Sequence, residues 1–342
     1  MEANDNQKSQ FEASPRVVHK RNNSQGMPMW EYKRSNSVIL GYMKLAQPKI
    51  EQQRWNTKRK IKSLLKRIIP REYHPQFVDW YVKCRAFFLS LLYTGNKFEC
   101  PFCGGHFRKF LPGGLDLPVL KEKNIVGGGY RVNATCCRCQ SSDRDRLIYL
   151  YLKNKTGLFY KNLKVLHVAP ERHLQRVLMT CPNIDYLSLD LNSPLAMVKM
   201  DITEIKYEDN SFDVLICNHV LEHIPDDRKA KSELYRVLKP AGWAILQVPI
   251  SLLLDRTYED STVTTPEGRE KVFGQSDHVR IYGKDYKDRL EKIGFSVEVY
   301  NFAKAFGEPT IHKYGLSKEE DIYICSKPKQ KTFKMATSYY TA

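Results

Sequence analysis

The stretch NSFDVLICNHVLEHIPDD, residues 210–227, decides the fold class of this chain. Its apolar run Asp213–Cys217 predicts a buried strand, and the polar Asn218 follows directly after that run. A helix with one apolar face is predicted from about Asp227 to Leu238, and Trp243–Val248 is typical of a second buried strand. Strands separated by a helix favour a parallel sheet with right-handed crossovers.

Further segments of the same kind flank this unit on both sides. They are Lys164–Val168, Ile184–Leu189, Val198–Met200, Ser296–Tyr300 and Asp321–Ser326. The sequence therefore predicts an α/β fold with a doubly wound, mostly parallel seven-stranded sheet. In such sheets ligands bind beyond the carboxyl ends of the strands, where the strand order reverses.

Polar residues stand at three successive strand ends. Asp190 closes the second strand, where a carboxylate can accept both ribose hydroxyls of a nucleoside. Asp201 closes the third strand and could accept from an exocyclic adenine amine, and Asn218 closes the fourth beside the expected reactive centre. One such residue is an ordinary turn residue. Three in one sheet favour a site for a nucleoside-containing ligand.

Two CxxC pairs precede the strand–helix region. They are formed by Cys100, Cys103, Cys136 and Cys139, and 32 residues separate the pairs. Four thiolates can hold one tetrahedral metal, so a structural Zn²⁺ in a zinc-ribbon-like module is the favoured interpretation. Cys137 could replace Cys136 as a ligand, His106 is a further candidate, and a redox CxxC is the alternative chemistry.

The positive charge is concentrated at the N-terminus. The 342 residues carry a formal charge of +17, and residues 1–75 hold 16 Lys/Arg against 6 Asp/Glu. Gln52–Ile69 has the pattern of a basic amphipathic helix, and Gln76–Leu92 that of an aromatic-rich helix. Partners consistent with this charge are RNA or an anionic membrane surface, and the alternative is that the helices pack on their own domain.

Several classes of protein are excluded by composition. The polar start MEANDNQKSQ lacks the apolar core of a secretory signal, and no run of about 18 apolar residues suggests a membrane span. Nine scattered cysteines argue against a secreted disulfide framework. We therefore expect a cytoplasmic protein with reduced thiols, or one that is peripheral at the membrane.

From Leu163 to about Ser326 the sequence resembles a class I S-adenosylmethionine-dependent methyltransferase of the type 11 group. The motifs that carry the resemblance are DLNS at Asp190, KMDI around Asp201, the stretch 210–227, ELYRVLKPAGWAILQVPI from Glu233 and GFSVEVY from Gly294. Residues 100–286 further resemble a bacterial subgroup with a CxxC ribbon, an APE motif and a DHVRIYG segment, which often accompanies glycan-assembly enzymes. The resemblance implies S-adenosyl-L-methionine as cofactor, with Asp190, Asp201, Ile202 and Asn218 in its site.

The first motif departs from the usual acid and glycine-rich turn. This chain has VLHVAPE, in which His167 replaces the acid and Ala169 is the smallest residue of the turn. Glu171 falls at the first helical turn, where the helix dipole favours a carboxylate that could meet the cofactor ammonium. The departure implies cofactor binding by an altered loop made of these three residues.

A hydroxyl acceptor would need a general base, and three histidines are candidates. They are His219, His223 and His278, with Asp277 and Tyr282 as orienting groups. His223 is the first choice, and packing within the LEHI segment is its equally weighted alternative. Thr257–Asp260 and Arg269–Arg280 are predicted to form a substrate lid, in which Arg280 binds an anion or pairs with an acid.

The predicted domains are a mostly disordered basic arm (1–50), basic and amphipathic helices (51–95), a zinc-ribbon-like module (96–146), a methyltransferase domain (147–330) and a tail (331–342). The favoured function is methyl transfer to a hydroxyl of a glycan, a nucleotide- or lipid-linked sugar, or another small molecule. The first alternative is an RNA methyltransferase that holds RNA with its basic N-terminus and zinc module. The second is a non-catalytic zinc-ribbon binding protein with a degenerate methyltransferase domain.

Overall fold

The computed structural model describes residues 74–329, with side chains from Trp80 onward. The chain divides into two units after Asp79, and the description below concerns the second, apart from the first residues of one helix. The predicted arm (1–50), the predicted helix Gln52–Ile69 and the tail (331–342) lie outside the described residues. The predictions for these three segments therefore remain predictions.

The described elements are, in chain order, α1 (His74–Leu92), β1 (Thr94–Glu99), β2 (His106–Phe107), β3 (Leu111–Gly113), α2 (Pro118–Glu122), β4 (Ile125–Val126), β5 (Arg131–Thr135), α3 (Asp143–Lys155), β6 (Leu163–Val168), α4 (Arg172–Met179), β7 (Ile184–Asp190), β8 (Val198–Lys199), β9 (Phe212–Asn218), α5 (Asp227–Val237), β10 (Leu238–Gln247), β11 (Ile250–Ser251), β12 (Tyr258–Glu259), α6 (Pro266–Phe273), β13 (Arg280–Ile281), α7 (Tyr286–Glu291), β14 (Ser296–Tyr300), α8 (Phe302–Phe306), α9 (Glu308–Tyr314) and β15 (Ile322–Ser326). A single 3₁₀ turn, Leu221–His223, follows β9.

A seven-stranded sheet forms the centre of the structure, in the order β14-β15-β10-β9-β6-β7-β8. The strands β6 to β10 pair in parallel, and β15 runs antiparallel to both of its neighbours. The predicted doubly wound, mostly parallel seven-stranded sheet is therefore confirmed. The strand order reverses between β6 and β9, so residues beyond these two strands lie at the switch point where such sheets bind ligands.

The fifth strand of the sheet begins earlier than predicted. β10 starts at Leu238, directly after α5, rather than at Trp243. Its pairing with β9 is irregular between Leu238 and Trp243, and Ala241 in this interval has a left-handed φ of 64°. A bulge therefore accommodates the Pro240–Gly242 turn within the strand.

Successive residues of the central strands pack into different layers. In β6, Val165 packs with α3 and α4, whereas Leu166 packs with α5 on the other side of the sheet. β9 alternates in the same way, with Val214 in the first layer and Leu215 in the second. Both faces of the sheet are thus covered by helices, which explains the near-continuous apolar runs of these strands.

The cysteine-containing region, residues 96–146, joins the sheet domain through several contacts. β4 pairs with β11, which follows the central strand β10, and α3 runs across the predicted boundary between residues 146 and 147. The α3 N-terminus is capped by a serine, because Ser142 and Asp145 form a capping box. Phe102 stacks on Tyr149 of α3 at a centroid distance of 4.7 Å.

The predicted helix over 76–92 is confirmed as α1, and several of its aromatic side chains are largely exposed. Trp80, Phe87 and Phe88 are 59%, 59% and 67% exposed. Phe87 and Phe88 are therefore not buried against the described residues, as packing on the domain requires, whereas Ala86 and Ser90 are buried. Contact of this helix with a membrane surface stays a prediction. Within residues 74–329, no helix is long and apolar enough to cross a membrane.

Candidate functional site

The four predicted metal ligands lie together. The sulfur atoms of Cys100, Cys103, Cys136 and Cys139 are all within 4.8 Å of one another. Sγ of Cys100 is 3.5 Å from Sγ of Cys139, and Sγ of Cys103 is 3.8 Å from Sγ of Cys136. Tetrahedral zinc with Zn–S bonds of about 2.3 Å places sulfur atoms roughly 3.8 Å apart, so the donor set fits Zn²⁺.

The two CxxC turns have the same backbone design. The amide of Gly104 donates to Cys100 O and the amide of Gln140 donates to Cys136 O, and both residues have left-handed φ angles, 61° and 67°. Gln140 occupies the position that Gly104 holds in the first turn, and its side-chain amide donates to Cys136 O and Cys137 O. These bonds explain how a non-glycine residue holds the left-handed turn.

The alternative ligands lie outside this cluster. Cys137 is buried, but its sulfur is not grouped with the other four, and His106 is exposed. The hydroxyl of Ser141 lies 3.3 Å from Cys100 Sγ and 3.2 Å from Cys139 Sγ. Ser141 thus forms hydrogen bonds with two of the sulfur atoms from outside the ligand set, as the groups that surround metal ligands often do.

At the switch point of the sheet, Glu171 is held from two sides. Its Oε2 lies 2.6 Å from His167 Nε2, and Asn218 Nδ2 donates to its Oε1 at 2.9 Å. The other ring nitrogen of His167 is 2.9 Å from the Tyr186 hydroxyl. Burial raises the pKa of Glu171, but the bonds from His167 and Asn218 outweigh it and hold that pKa below its usual value.

The departure in the first motif is visible in the backbone. Ala169 has a φ of 49°, the left-handed conformation that glycine adopts most readily, and its amide donates to Leu189 O at 2.8 Å. The chain thus makes the expected turn without a glycine. His167 is fully buried beneath this turn, so it acts on the site through Glu171 rather than by direct contact.

Asp190 and Asp201 follow neighbouring strands. Oδ1 of Asp190 accepts from the amides of Asn192 and Ser193, both at 2.6 Å, which fixes the carboxylate at the end of β7. Asp201 stands two residues beyond the end of β8, is exposed, and accepts from the amide and hydroxyl of Thr203. These bonds lower the pKa of Asp201. The neighbouring Ile202 is buried in the apolar core.

A polar cavity opens beside Glu171 and has an empty volume of about 450 Å³ including its mouth. It is lined by Arg144, Asp145, Leu147, Ile148, Glu171, Asn218, His219, Gln247 and Glu320. Among the described residues, several buried atoms of this wall have no hydrogen-bond partner, namely Asn218 Oδ1, His219 Nδ1, Glu320 Oε2 and Arg144 Nε. Unsatisfied buried polar atoms are costly, so their convergence indicates a ligand site.

His219 and Glu320 form a facing pair in this cavity. His219 Nε2 is 3.9 Å from Glu320 Oε1, and His219 holds a left-handed φ of 55°. Burial raises the pKa of Glu320 to about 7, and it lowers the pKa of His219 well below the usual value. A strained backbone and a carboxyl that titrates near neutrality are both typical of functional sites.

His278 lines a second cavity, called the mixed cavity because its wall has apolar and polar side chains, and His223 contacts His278. The empty volume of this cavity is about 350 Å³, and its wall includes Leu120 and Gly128 from the cysteine-containing region as well as Glu222 and His278. His223 Nδ1 is 3.2 Å from the carboxylate of Asp277, the predicted orienting group, and its ring centroid is 4.6 Å from that of His278. Burial lowers the pKa of His278 to about 4.

Tyr282, predicted to orient a histidine, and Arg280, predicted to bind an anion or pair with an acid, both make contacts with residues other than these histidines. The Tyr282 hydroxyl lies 2.6 Å from Asp227 Oδ2, so it does not orient an imidazole. Arg280 is buried, pairs with Glu259 at 2.7 Å and donates to the backbone around the 3₁₀ turn. Of the two roles predicted for Arg280, pairing with an acid is the one observed.

Sequence reasoning missed Arg144 and Glu320. Arg144 is in the first turn of α3, and its guanidinium donates to Gly127 O. Glu320 precedes β15, whose antiparallel direction brings its first residues to the edge where the parallel strands end. Residues before an antiparallel strand lie at the same edge of a sheet as residues after a parallel strand. The antiparallel direction of β15 was therefore the signal by which Glu320 could have been found.

Residues 171–246 match a family model described as a methyltransferase domain. The match covers less than half of the chain and includes the α4–β10 part of the sheet, with Glu171 at its start. Together with the observed sheet, it supports a methyltransferase domain of the class I type, which uses S-adenosyl-L-methionine. The ribbon-like region and the first motif as far as Pro170 lie outside the matched residues.

Curated relatives match a little over a third of the chain or less. A ubiquinone/menaquinone biosynthesis C-methyltransferase UbiE of Brucella canis is 31% identical over 125 residues, which are 32% of this chain and 45% of that protein. Phosphoethanolamine N-methyltransferase 2 of Caenorhabditis elegans is 26% identical over 138 residues, or 39% of this chain and 30% of that protein. The chain thus spans less than half the length of these relatives.

Solved structures resemble a larger part of the chain at lower identity. The [4+2]-cyclase SpnF is 16% identical, with a TM-score of 0.38, and the match covers 64% of this chain and 100% of that one. A SAM dependent methyltransferase from Archaeoglobus fulgidus is 17% identical, with a TM-score of 0.36, over 55% of this chain and 95% of that one.

Proposed function

We propose that this protein is an S-adenosyl-L-methionine-dependent methyltransferase that methylates a hydroxyl of a glycan, a nucleotide- or lipid-linked sugar, or another small polar molecule. The observation that carries the proposal is the polar cavity at the switch point. Glu171 and Asn218 line it, and several of its buried polar atoms lack partners among the described residues. A polar acceptor would satisfy these atoms, whereas an apolar one would leave them unpaired.

The residues beyond β6 and β7 suit the cofactor. Asp190, with Oδ1 fixed by two backbone amides, can accept from ribose hydroxyls through Oδ2. Glu171 would meet the cofactor ammonium, because His167 and Asn218 keep its pKa low and its carboxylate charged. When bound, the cofactor supplies a methyl group already activated by its sulfonium charge, so the protein mainly positions the acceptor and excludes water.

Proton removal from the hydroxyl falls to the pair formed by Glu320 and His219. Glu320 is buried with one unpartnered carboxylate oxygen, and its pKa of about 7 leaves a large fraction ionised at neutral pH. A base with a pKa near the working pH is the most efficient acceptor of a proton in the transition state. His219, kept neutral by burial, is the second group available on the same wall.

Cofactor binding is the first test. Calorimetric titration of the full chain with S-adenosyl-L-methionine should show one site, and Asp190→Asn should weaken binding at least tenfold, because the backbone amides keep the remaining oxygen and an amide nitrogen takes the place of Oδ2. Asp185→Asn is the matched control, since Asp185 is an exposed residue of the same strand. Absence of binding by the wild-type protein would overturn the proposal and favour the non-catalytic alternative.

The acceptor is tested by transfer of labelled methyl groups. The full chain should label extracted glycans or sugar-linked carriers and leave RNA unlabelled. RNA labelling instead, with an RNA affinity that falls steeply with salt and is lost on deletion of residues 1–75, would favour the RNA alternative that the N-terminal charge suggests.

Zinc is the metal we propose for the four cysteines, with a structural role.

A further inference from the structure

A second group of metal-type ligands lies at the mixed cavity. Glu222 and His223 end the 3₁₀ turn after β9, and His278 stands two residues before β13. One carboxylate oxygen of Glu222 and one ring nitrogen of each histidine lie within 4.8 Å of one another. The two imidazole rings are nearly perpendicular, at 84°. The three residues are called the Glu-His-His triad below.

The triad has the burial and the incomplete bonding of a ligand site. Glu222 is 2% exposed and His278 is 9% exposed, and Oε2 of Glu222 has no hydrogen-bond partner among the described residues. A buried carboxylate oxygen without a partner is unfavourable unless a cation or a donor meets it. Two imidazoles and one carboxylate form a donor set for first-row divalent metals, and three protein ligands leave positions open for other oxygens.

The surrounding structure fixes the triad before any ion binds. The amide of Val279 donates to Glu222 O, which ties the loop of His278 to the 3₁₀ turn. Arg280 donates to the carbonyls of Leu221 and Pro225 on either side of the triad residues. These bonds hold the two segments at a constant separation, as a preorganised site requires.

A carboxylate stands behind one of the histidines. Asp277 Oδ2 is 3.2 Å from His223 Nδ1, and Gln275 donates to the other oxygen of Asp277 at 2.9 Å. A histidine ligand that is hydrogen-bonded to a carboxylate in this way has a fixed ring orientation and a more basic second nitrogen. Asp277 also adds negative charge near the triad, which favours a cation.

We infer that Glu222, His223 and His278 bind a divalent cation that holds the acceptor through two neighbouring oxygens. Glu222 and His278 line the mixed cavity, and Glu222 Oε1 lies 3.6 Å from His219 on the wall of the polar cavity. A cation in the triad would therefore stand between the two cavities. Its open positions suit a vicinal diol or a hydroxy acid, and this assignment of the acceptor rests on the proposed methyl transfer.

The cation site is tested without cofactor or acceptor. Mn²⁺ is titrated into the full chain, and free Mn²⁺ is followed by electron paramagnetic resonance. Wild type should bind one Mn²⁺ per chain, and Glu222→Gln and His223→Gln should each weaken binding at least tenfold. His312→Gln is the matched control, because His312 faces Glu308 at 3.6 Å in an exposed pair of the same chemistry and should leave affinity unchanged.

A folding defect is separated from a binding defect by thermal unfolding. Mn²⁺ should raise the Tm of wild type and of His312→Gln, and it should leave the Tm of His223→Gln unchanged at an otherwise normal metal-free value. Failure of wild type to bind Mn²⁺ at millimolar concentration, or full affinity in Glu222→Gln and His223→Gln, would overturn the site.

The role of the cation is tested separately from methyl transfer. If methyl transfer occurs, a non-chelating monohydric acceptor should be methylated less than a vicinal diol, and His223→Gln should remove that preference. Equal use of both acceptors by wild type would overturn the acceptor assignment alone. Mn²⁺ binding by the triad in a protein that transfers no methyl group would support the site and refute the proposed function.

Discussion

Arg146 is the residue whose removal should most clearly weaken the connection between the cysteine-containing region and the sheet domain. Its guanidinium is fully buried and donates to the carbonyls of Tyr314 at 2.7 Å, Ser141 at 2.8 Å, Ala134 at 3.0 Å and Gly315 at 2.9 Å. Two of these acceptors, Ser141 and Ala134, belong to the cysteine-containing region, and the other two are the last residue of α9 and the residue after it. A single side chain therefore bonds parts of the chain that are far apart in sequence.

The expected loss follows from these acceptors. In Arg146→Met the methionine keeps most of the volume, but the four carbonyls lose the guanidinium as a donor, and Ser141 O retains the amide of Cys136. The other three carbonyls lose a hydrogen bond worth about 1–2 kcal/mol each. The variant also avoids the desolvation cost of a buried guanidinium, so the expected net loss in the free energy of unfolding is about 3 kcal/mol. Arg146→Lys should lose less, because an ammonium still donates.

The free energy of unfolding is measured by urea titration at constant pH and constant zinc concentration. Arg138→Met is the matched control: Arg138 is an exposed arginine of the same region, and its guanidinium lies 5.5 Å from the Phe107 ring, a contact worth less than about 1 kcal/mol. Arg146→Met stabilities within 1 kcal/mol of wild type, or equal losses in both variants, would show that the buried guanidinium does not hold the two regions together.

Three further outcomes are expected. Burial, helped by the negative charges of Asp143 and Asp321, raises the pKa of Glu320 from 4.5 to about 7 against the positive charges of Arg144 and Arg131, so the folded state favours the protonated form. The free energy of unfolding should therefore fall as the pH rises from about 4.5 to 7. Between pH 4.5 and pH 8 the wild type should lose about 3 kcal/mol more than Glu320→Gln. Parallel curves of unfolding free energy against pH for the two proteins would contradict this. Cys136→Ser should abolish zinc binding measured by elemental analysis, whereas Cys137→Ser should keep it; equal zinc in both would contradict the cluster. Ala169→Gly should raise the free energy of unfolding by about 1 kcal/mol, since glycine relieves the left-handed strain, and a loss of stability would argue against that strain.

The sheet was predictable because its signal is local. Each apolar run is bounded by polar residues, and both faces of the sheet are covered, so continuous apolar segments such as Asp213–Cys217 mark the central strands. The start of β10 was not predictable in the same way. Pro240 and Gly242 are strand breakers by propensity, and only a bulge with a left-handed Ala241 lets the strand begin before them.

The candidate site was predictable where its residues follow strands directly. Asn218 and Glu171 were named from their positions after β9 and β6, and the structure joins them by a hydrogen bond. Glu320 and Arg144 could not be found by that rule, because they reach the cavity from an antiparallel strand and from a helix N-terminus. Their role depends on tertiary placement, which residue type and spacing do not encode.

The pairing of β4 with β11 has a consequence for how this protein could change its substrate. Gly127, at φ 89°, lets the loop after β4 approach His219 and Glu320 so closely that a Cβ there would lie 3.3 Å from each side chain. The loop that lies against His219 and Glu320 therefore precedes β11, the strand with which β4 pairs, by about 120 residues in the sequence. Under the proposed function, exchange of this loop for the corresponding segment of another chain is expected to change which acceptor is methylated, with no change at Glu171 or Asp190.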